Sequence, residues 1–529
     1  MRYAGRLFQL FPAAVGLWPT TCLLGVLALA ATGCATTWPP EVERNLALAG
    51  DNRPELEKVL DHYRKKGDAA KLEAAQFLIA NMEGHGYIVT AFSDKNQNDV
   101  EFDATDYKNF REAQEAMDAL EKKHGELQPR RKRFDEDLEA VTADFLIENI
   151  DLAFKAWREK PWAKDLSPET FREHILPYRG SNEPVNSSRP ECLKRYANLP
   201  KKMKDPTDAR EAGGLILSDV GRWVGFDSLY YLHPTDQSFE EMKKSRLGRC
   251  EDISNMQLYA ARANAVAAAS DYTPWWADRD NNHAWVVLLD RNGEGKARLS
   301  NRAAKVYRKT FSIQRDSLAS RKNEDEEVPR WLGGNNYRDV TPSYRETTDV
   351  TVRLTEEKPE GARFAYICVF NEGEWKPIHW GEIRGDRATF TKMGRDIAYL
   401  PAYYVDKKTV PAAPPFILAS EGKVHTLDGA AKEEIPIEIA TTKPATPDAD
   451  TRRDIPTIVV QPGKTYELSV WDNGWESLGK KLAASPTPSA RSPVSFESVP
   501  KGRLYWLVAE GSRRLERIFT IEDGKQAWW

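Results

Sequence analysis

The spacing of apolar residues changes along this chain, and that change constrains the fold more than any other feature. From Arg53 to about Glu173 apolar residues recur at the period of an amphipathic helix. In "AAKLEAAQFLIANMEGHG", Leu72, Ala75, Phe77, Leu78 and Met82 fall on that period, and Gly84–His85–Gly86 closes it. "RPELEKVLDHYRK", "DYKNFREAQEAMDALEKKHGE" and "VTADFLIENIDLAFKAWREKPW" read as further helices. Ser167 in "SPET" is an N-cap with proline at the first helical position, and the helix it opens must stop before Pro177. After Val340 the pattern becomes strands between turn residues: "TDVTVRL", "ARFAYICVF", "ATFTKM" and "IAYLPAYYV". "WDNG" at Trp471 to Gly474 carries the Asn-Gly of a tight hairpin. The stretch between, Arg189 to Asp339, is mixed.

These shifts divide the chain into a helical region at 51–188, a mixed core at 189–339, a β-sandwich-like domain at 340–440 and a C-terminal β domain at 457–529. The polar "TTKPATPDADTRRDIP" at 441–456 is expected to be a linker. Upstream, Arg2 and Arg6 precede an apolar run from Cys22 to Ala31, then "TGC" ending at Cys34. That is a secretory signal pattern at 1–33, with a tether expected at 34–50. Ala31, Thr32 and Gly33 before a cysteine resemble the lipobox of bacterial lipoproteins, which implies cleavage before Cys34 and lipid attachment to it. An uncleaved anchor is the rival reading. Both put the protein outside the cytoplasm on a membrane surface, in the cell envelope.

A net charge of −4 with no dense basic run speaks against nucleic acid as a partner, and "RRKR" at Arg130 to Arg133 reads as a solvated helix end. His62, His85, His124 and His174 lack metal-ligand spacing and no CxxC occurs, so no metal or other cofactor is expected. The sixteen tryptophans are expected mainly in β-domain cores. Of five cysteines, Cys192, Cys250 and Cys368 remain once Cys22 is cleaved off and Cys34 is lipidated, an odd set that leaves a thiol unpaired. Cys368 lies in an apolar strand and reads as core.

Cys250 differs. In "RLGRCEDISNMQLYAARA", Ile253, Met256, Leu258, Tyr259 and Ala260 keep helical spacing, so a helix begins at the cysteine. Further on, "NNHAWVVLLDRNG" starts an apolar strand at His283 and turns after Asp290. A helix N-terminus stabilises a thiolate. A neighbouring imidazole can pair with that thiolate and later protonate a leaving group. Glu251 and Asp252 work against this unless their carboxylates point away.

"GRCED" before an apolar helix, followed by "NNHAWVVLLD", resembles the core of the transglutaminase-like cysteine-hydrolase superfamily over about Phe226 to Phe311. That family includes crosslinking transglutaminases, peptide N-glycanases and bacterial proteases and amidases. The resemblance implies a multidomain α+β chain: a helical N-terminal region, a papain-like or transglutaminase-like α+β core, and C-terminal β-sandwich domains. It makes Cys250 the nucleophile and His283 the base, with Trp285 matching the tryptophan after the histidine. The family's aspartate on the following strand is missing from "GKARLSNRAAKV". Asn301 is the substitute candidate, since an amide can orient an imidazole. Asp290 sits at the far end of the histidine's own strand, roughly 20 Å away in extended chain. Trp223 and Gln237 are the candidate oxyanion donors. The implied substrate is a peptide, glycopeptide or peptidoglycan stem. The alternative is an inactive scaffold that binds glycan or protein through its β domains, with "WDNGW" and the final "AWW" as contacts.

Overall fold

The computed structural model describes residues 38–429, 433–447, 454–484, 493–512 and 515–529. The expected signal segment and Cys34 lie outside them. The architecture is mixed α+β. Among the described residues, ten α-helices have seven or more residues: α1 Pro40–Leu48, α2 Arg53–Lys66, α3 Ala69–Ala80, α4 Phe110–His124, α5 Ala143–Glu159, α6 Pro168–His174, α7 Arg189–Arg195, α8 Ala209–Trp223, α9 Phe239–Ser245 and α10 Cys250–Ala263. Their ends follow local chemistry. Asp68, Thr142 and Ser167 each accept a backbone N–H in the first turn of α3, α5 and α6. Gly67, at φ +67°, closes α2. No helix among the described residues is long and apolar enough to cross a membrane.

Five expectations need correction. The tether is not loose from Pro40 onward, because α1 buries Val42, Asn45 and Leu46 against α3. The region read as all helical contains an antiparallel sheet of β1 (Gly86–Ser93), β2 (Asp99–Val100) and β3 (Gln128–Glu136), in the order β2-β1-β3. The "RRKR" run lies in β3, where Arg130 and Lys132 both pair with Asp99. The 441–456 stretch is not a free linker either. Thr441–Lys443 pairs with Ile458–Val459, Thr446–Pro447 pairs with Asp454–Ile455, and Thr442 and Lys443 are buried. Nor does the 188/189 boundary separate two cores, since one apolar core runs from Trp38 through α1–α3, α5, α8 and α10 to Phe311.

The central strands β4 to β9 lie on either side of α10 in the chain. Short β4 (Gly225–Phe226) and β5 (Leu247–Gly248) pair in parallel. The others, β6 (Ala268–Thr273), β7 (His283–Leu288), β8 (Tyr307–Lys309) and β9 (Tyr337–Asp339), form an antiparallel sheet in the order β7-β6-β8-β9. Strand β6 is buried throughout, while β7 is an edge strand buried only at Ala284 and Val287. The apolar run "HAWVVLL" is therefore half covered rather than fully interior. The β-rich half has an eight-stranded antiparallel sheet. It includes β10 (Thr347–Arg353), β11 (Phe364–Asn371), β12 (Glu374–Arg384), β13 (Arg387–Gly394) and β14 (Ile397–Val405). A five-stranded sheet follows, built on the Thr465–Trp471 and Trp475–Leu482 hairpin. Where the two sheets meet, Trp375, Trp471 and Trp506 are buried with Phe370, and Trp475 packs against them.

Of the four histidines in the helical region, His174 is buried and His85 is partly buried. His85 stacks on Phe311 with ring centroids 4.3 Å apart, and its Nε2 donates to the Phe311 carbonyl at 2.9 Å. Burial lowers its pKa to about 4, and burial with Arg262, Arg308 and Arg338 lowers that of His174 well below the ordinary value. The unfolded chain therefore binds protons at pH values where the folded chain does not. The stability His85 contributes is complete above pH 6.5 and is lost as pH falls through about 4, and His174 adds in the same direction. For His85 alone the loss is expected to be on the order of 3 kcal/mol. Urea unfolding between pH 7 and pH 4 should show it, with a shallower slope for His85→Gln; an equal slope would remove His85 from the explanation.

Candidate functional site

Chain direction determines which ends meet. Helix α10 spans roughly 21 Å and β6 roughly 20 Å, so the two match in length. Between them Ala265 takes a left-handed conformation at φ +52°, the Val266 N–H returns to the Ala261 carbonyl, and the chain reverses. Helix α10 packs on β6 and β7. The end of β6 therefore lies at the Cys250 end of the helix. Thr273, the last residue of β6, is in register with His283, the first residue of β7. The expected nucleophile and base thus belong to the same end of one helix-on-sheet layer. A side-chain contact fixes this end independently. Lys309 pairs with Glu251, beside Cys250, and its Nζ lies 5.8 Å from the centre of the Tyr272 ring, one residue before Thr273.

The helix is buried on nearly every side. Only Cys250, Ile253 and Gln257 are partly open, and their i, i+3, i+7 spacing makes them one stripe. Cys250 thus opens the one face of α10 that reaches toward solvent. The other described thiols do not compete. All three are free, but burial pushes Cys192 up to about 12 and Cys368 higher still.

The two neighbouring acids are occupied elsewhere. Glu251 is paired with Lys309, which also donates to Ser181 Oγ at 2.7 Å. Asp252 caps its own helix. Its Oδ2 accepts the Arg249 N–H at 3.0 Å and its Oδ1 the Gln237 N–H at 2.8 Å. Arg249 pairs with Asp236. Burial alone would raise Asp236, but Arg249 and Lys309 outweigh it and hold its pKa below normal. Gly248 is required two residues before the cysteine, because a Cβ there would lie 2.7 Å from Asp252 Cβ and 3.0 Å from Met242 Sδ.

The histidine is set in aromatic rings. His283 stacks near-parallel with Trp285 at 5.5 Å and with Trp276 at 6.2 Å. Trp285 Nε1 donates to Tyr344 Oη at 3.0 Å, and Tyr344 donates to Asp271 Oδ2 at 2.7 Å. Asp271 and Arg308, both fully buried, make a two-pronged pair at 2.8 and 2.9 Å.

The remaining candidates fall out differently. Asp290 is exposed and caps its turn through the Asn292 and Glu294 N–H groups, away from the histidine end. Asn301 is buried; one N–H of its Nδ2 donates to the Pro447 carbonyl at 2.9 Å, and its Oδ1 accepts from Ser300 Oγ at 3.4 Å. Trp223 lies under the Arg195 guanidinium at 4.4 Å, so its ring packs as a platform for that charge. Gln237 spends its amide on the turn that carries the cysteine. Its Nε2 donates to the Leu247 carbonyl at 2.9 Å and to Asp252 at 3.2 Å, and its Oε1 accepts from Ser245 at 3.0 Å. It supports the Cys250 turn and has no donor left for an oxyanion.

No family model, curated protein or solved structure matches this chain. Residues that sequence reading missed include Lys309, Asp236 and Tyr344, whose roles depend on partners far along the chain. Asp278 is another: it is buried on the loop before His283, and its Oδ2 accepts the Arg302 N–H at 2.9 Å.

Proposed function

We propose that this protein is a thiol-dependent hydrolase of the cell envelope with a transglutaminase-like core, tethered to a membrane through a lipid on Cys34. The observation that carries the reading is the position of Cys250. It is the first residue of a buried helix, it lies on the helix's one open stripe, and it shares an end of the layer with His283. In the proposed reaction His283 takes the thiol proton and Cys250 Sγ attacks a carbonyl carbon. The helix N-terminus stabilises the oxyanion. The C–N or C–O bond breaks as the imidazolium protonates the leaving group, and a thioester remains. Water, deprotonated by His283, then releases the acid and restores the thiol. The substrate class is a peptide, glycopeptide or peptidoglycan stem, and hydrolysis is preferred to crosslinking by family analogy. The scaffold reading loses one of its contacts because Trp471 is buried, while Trp475, Trp528 and Trp529 keep part of their surface open.

The test is turnover of an activated aryl ester by the intact protein. Release of several equivalents of phenol per protein, abolished in Cys250→Ala, is expected. Release no faster than that of Cys250→Ala would overturn the reading.

A further inference from the structure

We infer that Asn371, on the β-rich half, is a positioning residue for His283. The inference rests on the hydrolase reading above. Strand β11 ends at Asn371, and the Glu372–Gly373 turn that follows has φ values of +52° and +76°. Such a turn makes a tight hairpin, and its base and tip enter the loop between β6 and β7. Asn371 is fully buried there. Its Nδ2 donates to the carbonyls of Trp276 and Arg279 at 2.9 Å and of Asn281 at 3.1 Å. Its Oδ1 accepts the Asn281 N–H at 3.0 Å. One side chain thereby holds three residues of a loop that ends at the proposed base.

Its neighbours act on the same loop. The Glu372 N–H donates to Asp280 Oδ1 at 2.9 Å, and Lys443 donates to Asp280 Oδ2 at 2.9 Å. Arg517, almost wholly buried, donates to the carbonyls of Ala277 at 2.6 Å, Phe370 at 2.8 Å and Trp529 at 2.9 Å. The loop's free choices are few: the Trp276 N–H closes it onto the Asn281 carbonyl at 3.1 Å. Trp276 carries the restraint to the site, because its ring stacks on His283 at 6.2 Å. Trp285, on the histidine's own strand, restrains the ring from within the sheet at 5.5 Å. The β-rich half adds a second restraint through Trp276, so competence of the Cys250–His283 pair also depends on a domain that contributes no reacting atom.

Two measurements on the full chain test this in Asn371→Ala. The first is hydrogen exchange over residues 275–283, expected to speed up at least about tenfold while α10 and β12–β14 keep wild-type protection. The second is the pH midpoint of Cys250 alkylation, expected to rise by about one unit toward the unperturbed thiol. A loosened loop with an unmoved alkylation profile overturns the inference, as does an unchanged exchange rate. If Asn371→Ala does not fold, Arg517→Met removes the Ala277 contact and is judged by the same two readouts. A wild-type protein without a low-pH alkylation component would refute the hydrolase reading. The exchange result would then still decide whether Asn371 orders the loop.

Discussion

Alkylation of Cys250 at pH 6 is expected to depend on His283, because the imidazole takes the thiol proton in the proposed mechanism. His283→Ala should slow it about 100-fold at that pH and bring the two proteins together near pH 9. The expected size follows from the roughly 0.3% of a free thiol of pKa about 8.5 that is ionised at pH 6 without such help. The structural grounds are the shared end of α10 and β7 and the diversion of Glu251 and Asp252 to Lys309 and the helix cap. Among the described cysteines only Cys250 should be labelled, because Cys192 and Cys368 are buried. Equal rates for the two proteins at pH 6 would separate Cys250 from His283 and end the proposed mechanism.

Arg308→Met is expected to cost about 3–5 kcal/mol of stability, the usual consequence of leaving one member of a buried ion pair alone. Arg308 and Asp271 are both fully buried. Arg308 also donates to the carbonyls of Gly293 at 3.0 Å and Gly295 at 2.8 Å, so the turn after β7 loosens with it. The double variant Asp271→Leu/Arg308→Met should recover part of the loss, since no unpaired charge remains inside. A second effect separates this pair from ordinary core packing. Asp271 holds Tyr344, Tyr344 holds Trp285, and Trp285 stacks on His283, so both variants should also raise the pH needed for Cys250 alkylation. Urea unfolding measures the first effect and alkylation the second. A loss below about 1 kcal/mol in Arg308→Met would show that the pair is solvated rather than buried.

Local features of this fold were readable because their causes lie within a few residues. The Ser167 cap with Pro168, the stop before Pro177 and the Trp471–Trp475 hairpin need no distant partner. The strand at Phe364–Asn371 and the helix that opens at Cys250 were likewise visible as periods. Strand β3 was not, because "QPRRKRFDE" shows no alternation and little apolar content beyond Phe134, and it is a strand because β1 pairs with it. Helix α1 looked like a tether since its burial is against α3, outside its own sequence. Polar character misled in the same way at Thr441–Lys443, where Lys443 is buried against Asp280.

The site divides along the same line. The types and order of Cys250 and His283 are a matter of sequence, because a thiol at a helix start and an imidazole at a strand start follow from capping and periodicity. Whether those two residues can act together was left to the tertiary fold. It turned the chain back at Ala265, withdrew Asp290 and Gln237 into turn and cap contacts, took Asn301's amide for Pro447, and set Asn371 and Arg517 on the loop before the histidine. Those contacts join residues far apart in sequence, and each one depends on where whole elements pack. Local propensity carries no record of that packing.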